Sequence, residues 1–224
     1  MIETIEAVPE EIYDIELEHS LLQANEEIAG RNRQLLDAHG IAAIDFMGAI
    51  GSGKTTLITR LCEHLKEEVG LAVFNGDATL SHDADAIAAL GVPVIQIATV
   101  NGCHLDANLV EKALHKIPLE KTRLLFIENI GNLICPAEFP LGSKARVVVV
   151  SVTEGPYMVK KHPHMFLGAD LVVINKTDLA GAMEISVAEL TQDVHTLKPG
   201  LPVIATSCRK GSGIAEVATA IQAL

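Results

Sequence analysis

From Ile41 onward, short continuous apolar runs alternate with stretches whose apolar residues recur every three to four positions. The runs at 41–47, 71–75, 92–98, 123–128, 146–152, 170–174 and 202–206 read as strands apolar on both faces. Helical periodicity falls near 55–69, 82–90, 105–116, 184–197 and 213–223. This alternation predicts an α/β fold, a three-layer sandwich whose mostly parallel sheet of about seven strands is flanked by helices. Between Tyr13 and His39 the residues Ile15, Leu21, Leu22, Ile28, Leu35 and Leu36 recur near helical spacing among polar residues. That pattern predicts an amphipathic helix ending at Gly40, whose apolar stripe covers the core or docks a partner. Residues 1–11 are acidic and expected to be loose. The expected division is an acidic segment with its packing helix over 1–40 and one nucleotide-binding domain over 41–224.

Ligands on such sheets bind at the carboxyl ends of the strands, so the residues after each run carry the chemistry. After the first run, Gly48 to Thr55 fit G-x-x-x-x-G-K-[ST] between a strand and a helix, the P-loop pattern. Glycines at 48, 51 and 53 let main-chain N–H groups, including that of Ser52, converge on phosphate oxygens at a helix N-terminus. Lys54 is expected to reach the β- and γ-phosphates, the Thr55 hydroxyl to ligate Mg²⁺, and Thr56 to line the nucleotide. Asp77 follows the second run and Glu128 ends the fourth. Both carboxylates stand where they can hold Mg²⁺ or orient an attacking water, and Gly131 in the same loop is expected to contact the nucleotide.

Asn175-Lys176-Thr177-Asp178 is an N-K-x-D after the sixth run. Its Asp can accept guanine N1–H and the exocyclic N2–H₂, which adenine lacks, while Asn175 and the Lys176 stem orient and cover the base. Ser207 and Cys208 fall where a loop would back the base. Arg209 either stacks there or is a surface charge.

A net charge of −12 argues against nucleic acid or an anionic membrane as main partner. No apolar run approaches a bilayer-spanning length and no signal peptide is evident, so a cytoplasmic protein is expected. The cysteines at 62, 103, 135 and 208 do not form a paired motif. Cys103, His104 and Cys135 are either buried thiols and a capping imidazole or soft metal ligands, and a symmetric dimer would complete a three-ligand set.

The helix Asn32-Arg33-Gln34-Leu35-Leu36, the stretch Asp45 to Thr55, Gly102 to Ala107, Phe126 to Pro136, and Thr153-Glu154-Gly155 with Lys161 together resemble the HypB family of nickel-insertion GTPases. The resemblance runs from about residue 21 to near the end of the chain. It implies GTP and GDP as ligands, slow Mg²⁺-dependent GTP hydrolysis, a homodimer promoted by GTP, and Ni²⁺ or Zn²⁺ held at the interface by Cys103, His104 and Cys135. It further implies a hydrogenase-maturation partner protein and the hydrogenase large subunit as recipient. Lys161 stands where the family keeps a lysine and either reaches the nucleotide across the dimer or is solvated. The chain departs from many relatives in having no cysteine before Cys62 and only dispersed His, which implies no nickel storage, and in having Pro156 where an acidic residue is common. A urease-type relative carries Pro between Cys and His, absent between Cys103 and His104. A metal carrier that uses GTP only as a dimerisation switch is the alternative of a different class.

Overall fold

The computed structural model describes residues 2–6, 15–76, 82–99 and 104–224. Among these described residues eight strands form one sheet: β1 (Ile2–Glu6), β2 (Ala42–Met47), β3 (Leu71–Asn75), β4 (Val94–Ala98), β5 (Leu124–Glu128), β6 (Ala145–Ser151), β7 (Leu171–Asn175) and β8 (Val203–Ala205). Their spatial order is β1-β4-β3-β5-β2-β6-β7-β8 and every pairing is parallel. The helices are α1 (Ile15–Ala38), α2 (Lys54–Leu65), α3 (His82–Ala89), α4 (Ala107–Leu114), α5 (Cys135–Glu138), α6 (Met158–Lys161), α7 (Pro163–Leu167), α8 (Val187–Leu197) and α9 (Ile214–Ala223).

The seven expected strands lie in this sheet, and the eighth corrects the expectation for the start of the chain. Residues 2–6 are not loose: β1 pairs with β4 from Ile2↔Val94 to Glu6↔Ala98, making an edge strand. Its sequence Ile-Glu-Thr-Ile-Glu lacks strict alternation, and its acids are the kind of residue that edge strands tolerate.

The strands sort their side chains with period two into layers on either side of the sheet. Ile44 and Phe46, Val73, Phe126, Val147 and Val173 share one buried cluster with α2 and α9 residues such as Leu57, Leu61 and Val217. On the opposite face Ala43, Phe74, Leu125 and Ile127 pack with α1 and α4 residues, while Val148, Val150 and Val172 pack with Phe166 and Leu190. Phe46 and Phe126 meet edge to face across β2 and β5, with centroids 5.3 Å apart. Deleting either ring would cost about 3–5 kcal/mol by the usual cavity penalty. This rigid centre fixes the carboxyl ends of β2, β3 and β5 side by side.

Candidate functional site

The loop after β2 turns through Gly48, Gly51 and Gly53 into α2. Gly48 is crowded: a Cβ there would collide with the Val149 carbonyl and lie 3.0 Å from Ser52 Oγ. At Gly53, φ is +97° and a Cβ would run into the Asn175 amide, so the loop and the end of β7 interlock at a position that excludes side chains. Lys54 is buried and folds back over the loop, donating to the carbonyls of Gly48 and Ala49 at 3.1 Å each. Ser52 keeps its hydroxyl inside the protein, and its carbonyl accepts from Asn175 Nδ2 at 3.0 Å.

Glu128 ends β5 beside this loop and is buried. Its Oε1 accepts from the Thr55 hydroxyl at 2.6 Å and its Oε2 from Asn75 Nδ2 at 3.1 Å, while Gln96 Nε2 donates to Asn75 Oδ1 at 3.3 Å. Three strand ends and α2 thus share one polar chain, a set of hard oxygen donors of the kind that suits Mg²⁺. Asp77 lies outside the described residues; Gly76, just before it, donates to the Glu128 carbonyl at 2.9 Å.

The chain leaving Glu128 runs back along the P-loop. Gly48 and Asn132 form an antiparallel bridge, and a Cβ on Gly131 would strike the Ile50 side chain and come within 2.9 Å of the Ile50 nitrogen. Gly131 therefore presses its main chain against the loop apex. Asn132 Oδ1 then accepts from Ile134 N at 3.0 Å, and Cys135 opens α5 immediately afterwards.

On the other side of the loop, Thr56, Asn175, Lys176, Asp178, Leu179, Cys208 and Arg209 line a cavity of about 140 Å³. Asn175 Oδ1 accepts from Thr206 Oγ1 and from the Cys208 nitrogen, both at 3.2 Å. Lys176 sits at φ +60° and donates Nζ to the Gly51 carbonyl at 2.5 Å, bridging the two loops. Asp178 is half-buried, and the Ser207 hydroxyl donates to its Oδ1 at 2.6 Å. That bond holds its carboxyl below the usual carboxylate range against the desolvation that opposes it, with the charges of Lys210 and Arg209 adding to it. An ionised, oriented carboxylate accepts only, which suits a base edge that presents two donors. Lys161 is exposed at the end of α6 and has no side-chain hydrogen bond or ion pair among the described residues.

The third set of predicted residues is placed in part. Cys103 lies outside the described residues. The His104 ring stacks on Phe139, centroids 3.8 Å apart, and Phe139 directly follows the helix that Cys135 opens. The segments that carry His104 and Cys135 therefore meet. Burial lowers the His104 pKa, with Asp106 and Glu138 opposing, so the ring is held neutral as a metal-binding imidazole must be. Cys135 is a free, half-buried thiol. Imidazole and thiolate suit Ni²⁺ or Zn²⁺ rather than Mg²⁺. Among the described residues no group of three or more His, Cys, Asp or Glu gathers to hold a metal.

Residues 42–205 match the family model described as CobW/HypB/UreG, nucleotide-binding domain. Over 203 residues the chain is 43% identical to the probable hydrogenase maturation factor HypB of Methanocaldococcus jannaschii, covering 91% of this chain and 92% of that one. The chain belongs to the HypB family. Among solved structures, the HypB maturation factor of Archaeoglobus fulgidus is similar at a TM-score of 0.85 and 40% identity, covering 90% of this chain and 98% of that chain. HypB from Helicobacter pylori in complex with nickel follows at a TM-score of 0.84 and 32% identity, covering 89% and 94%. Fold and family together make the chain a P-loop nucleotide hydrolase. No helix among the described residues is long and apolar enough to cross a membrane.

Motif reading of this HypB-family chain missed Asn75, Gln96 and Asn129, because an amide in an apolar run has no spacing signature. It also assigned no role to Asp45, which is fully buried on β2. Asp45 Oδ1 accepts from Asn129 Nδ2 at 3.2 Å, and Oδ2 faces Arg146 Nε at 3.6 Å, an ion-pair separation. Asn129 Oδ1 in turn accepts from the nitrogens of Leu105 and Ile130 at 3.1 and 3.0 Å. Burial pushes the Asp45 carboxyl up from 3.8 to about 6, the Arg146 charge and the Asn129 bond offsetting only part. A raised carboxyl favours folding most below its unfolded value and loses that contribution as pH rises through the folded one. Acidifying from about pH 7.5 to about pH 5 is expected to return about 1 kcal/mol through this group. The check is thermal unfolding of wild type against Asp45→Asn across that range; parallel curves would remove Asp45 from the account.

Proposed function

We propose that this chain binds GTP with Mg²⁺, hydrolyses it slowly to GDP, and couples that cycle to nickel delivery during [NiFe]-hydrogenase maturation. The reading is carried by one stretch, residues 128–135. It starts at Glu128, bonded to the P-loop Thr55, pairs with Gly48 through Asn132, and ends on the candidate metal ligand Cys135.

In this reading Lys54 turns from the loop carbonyls to the β- and γ-phosphates, and the main-chain N–H groups from Gly51 to Thr56 cradle them. Gly131 N–H, pressed against the loop apex, meets the γ-phosphate edge. Thr55, Glu128 and Asp77 are the residues that would hold Mg²⁺, which when bound would neutralise charge building on the transferred phosphoryl group. Glu128, bonded to Asn75 on its far oxygen, keeps its near oxygen aimed at the site and orients the attacking water. Asn175, Lys176, Asp178, Ser207 and Cys208 hold guanine, and Asp178 rejects adenine because its two lone pairs would face no matching donors.

Nickel is the cargo. Cys103, His104 and Cys135 hold Ni²⁺ or Zn²⁺, with a second chain completing the coordination when GTP brings two copies together. That the similar HypB from Helicobacter pylori is in complex with nickel supports nickel as the cargo. A cytoplasmic maturation partner and the hydrogenase large subunit are the proteins it serves. Lys161, exposed on α6, reaches the nucleotide of the second copy.

The test is a competition titration of wild type against GTP and ATP, with phosphate release and light scattering followed with and without Mg²⁺. Expected are a preference for GTP of at least about a hundredfold, slow Mg²⁺-dependent release, and a mass shift to dimer with a GTP analogue. Equal affinity for ATP would remove the guanine assignment. No phosphate release even with the maturation partner present would leave a switch rather than an enzyme.

A further inference from the structure

His104 and Cys135 sit on separate segments, and the side chains that join those segments lie elsewhere, on α1. Asn25 Oδ1 accepts from the Ala107 nitrogen at 2.7 Å while its Nδ2 donates to the Pro140 carbonyl at 2.9 Å. About two turns further along the same face, Asn32 Nδ2 donates to the Ala107 carbonyl at 2.8 Å and to the Leu141 carbonyl at 3.1 Å. Each amide therefore grips both segments at once. Ala107 begins α4 just after His104, and Pro140 follows Phe139, on which the His104 ring rests. Gly142 completes the approach: a Cβ there would come 2.5 Å from the Ala29 carbonyl and 2.9 Å from the Arg33 nitrogen of α1.

The chemistry of this face is not that of a helix which only covers a core. Its buried stripe is Asn25, Ala29, Asn32 and Leu36, with Asn25 6% and Asn32 0% exposed. Burying an amide is unfavourable unless all its groups are matched, and Asn32 Oδ1 is buried with no hydrogen-bond partner among the described residues. Leucine would seal the same surface at lower cost. What an amide adds is directionality: two main-chain segments are held at one mutual distance rather than merely kept dry.

We propose that Asn25 and Asn32 are positioning residues of the metal site, clamping the start of α4 to the segment after α5 so that the His104–Cys135 separation is set before metal binds. The proposal rests on the reading of His104 and Cys135 as ligands given above. Preorganisation of this kind acts on affinity because the loops need not be ordered at the moment of binding.

The experiment titrates Ni²⁺ against a competing chelator on the full GDP-bound chain and follows Ni²⁺–thiolate absorption, with Cys135→Ala as the reference that isolates the Cys135 part of the band from that of Cys103. Asn25→Ala and Asn32→Ala are compared with Ile221→Ala, which lowers thermal stability from the core on the opposite sheet face. The asparagine variants are expected to weaken Ni²⁺ about tenfold or more and to shift the thiolate band. Ile221→Ala, at a similar thermal midpoint, is expected to change neither. The milder Asn25→Ser, which shortens the reach to Pro140, gives a smaller fall of the same sign and stays informative if an alanine variant fails to fold. Full Ni²⁺ affinity in the asparagine variants overturns the clamp, as does an equal fall in Ile221→Ala, which would make the effect one of stability alone. Wild type that binds no Ni²⁺ through Cys135 overturns the metal reading itself and the clamp with it, a result distinct from both.

Discussion

Asp178→Ala is expected to lower GTP affinity about a thousandfold, because two charge-assisted hydrogen bonds to the guanine edge vanish together. ATP binding should hardly change, so the two nucleotides converge. The geometry makes this more than a motif argument: Ser207 holds one carboxylate oxygen at 2.6 Å and thereby fixes the direction of the group, while its ionised state is favoured by the same bond. The companion variant Asp178→Asn supplies one acceptor and one donor, which suits a base carrying a carbonyl where guanine carries its amine. Xanthosine triphosphate should then bind better than GTP. Lys54→Ala, in contrast, should weaken all triphosphates alike, since Lys54 meets phosphate and not base. Competition titrations with the three nucleotides separate these cases, and an Asp178→Ala variant that keeps its GTP-to-ATP ratio would dismiss the base assignment.

The fold was legible in the sequence where burial is two-sided. β2, β3, β5 and β7 are buried at nearly every position, so each appears as a mostly apolar run, and their parallel pairing follows from the helices between them. β1 escaped because an edge strand need not be apolar, and α5, α6 and α7 escaped because four or five residues are too few to display a helical period. Those short helices are where Cys135 and Lys161 stand, so the local geometry of two candidate residues was unreadable although their identities were not. The P-loop and the loop of Asn175 to Asp178 stood out as motifs because each needs fixed residue types at fixed spacing. The Gln96–Asn75–Glu128 chain, the Asp45–Asn129 pair and the α1 asparagines were illegible for the opposite reason: their partners come from distant parts of the sequence, and only the folded sheet brings them together.

Cys135→Ala is expected to abolish tight Ni²⁺ or Zn²⁺ binding, a loss of at least about a hundredfold, while leaving GTP affinity of the single chain within about twofold. The second half follows from position: Cys135 does not line the base cavity, and it follows Asn132 and Ile134 along the stretch that leaves Glu128. In the proposed function that same stretch is what would make metal and nucleotide interdependent. A γ-phosphate arriving at the loop apex must displace or capture Gly131, whose main chain already abuts Ile50, and Asn132, paired to Gly48, moves with it. The helix that Cys135 opens begins three residues later, so a shift at the apex reaches the thiol with little chain in which to dissipate. Two ligands that bias one segment are coupled reciprocally: the factor by which GTP tightens metal in the dimer must equal the factor by which metal tightens GTP. A coupling of about tenfold sits inside the usual range for such effects. In Cys135→Ala both factors should fall to one, and in Gly131→Ala, whose added methyl meets Ile50, coupling should weaken although every metal ligand is retained. The measurement is metal affinity with GDP and with a GTP analogue, paired with nucleotide affinity with and without metal. Wild type with equal metal affinity in both nucleotide states, or Cys135→Ala with undiminished coupling, would show that the stretch from Glu128 to Cys135 connects the two sites in space but not in free energy.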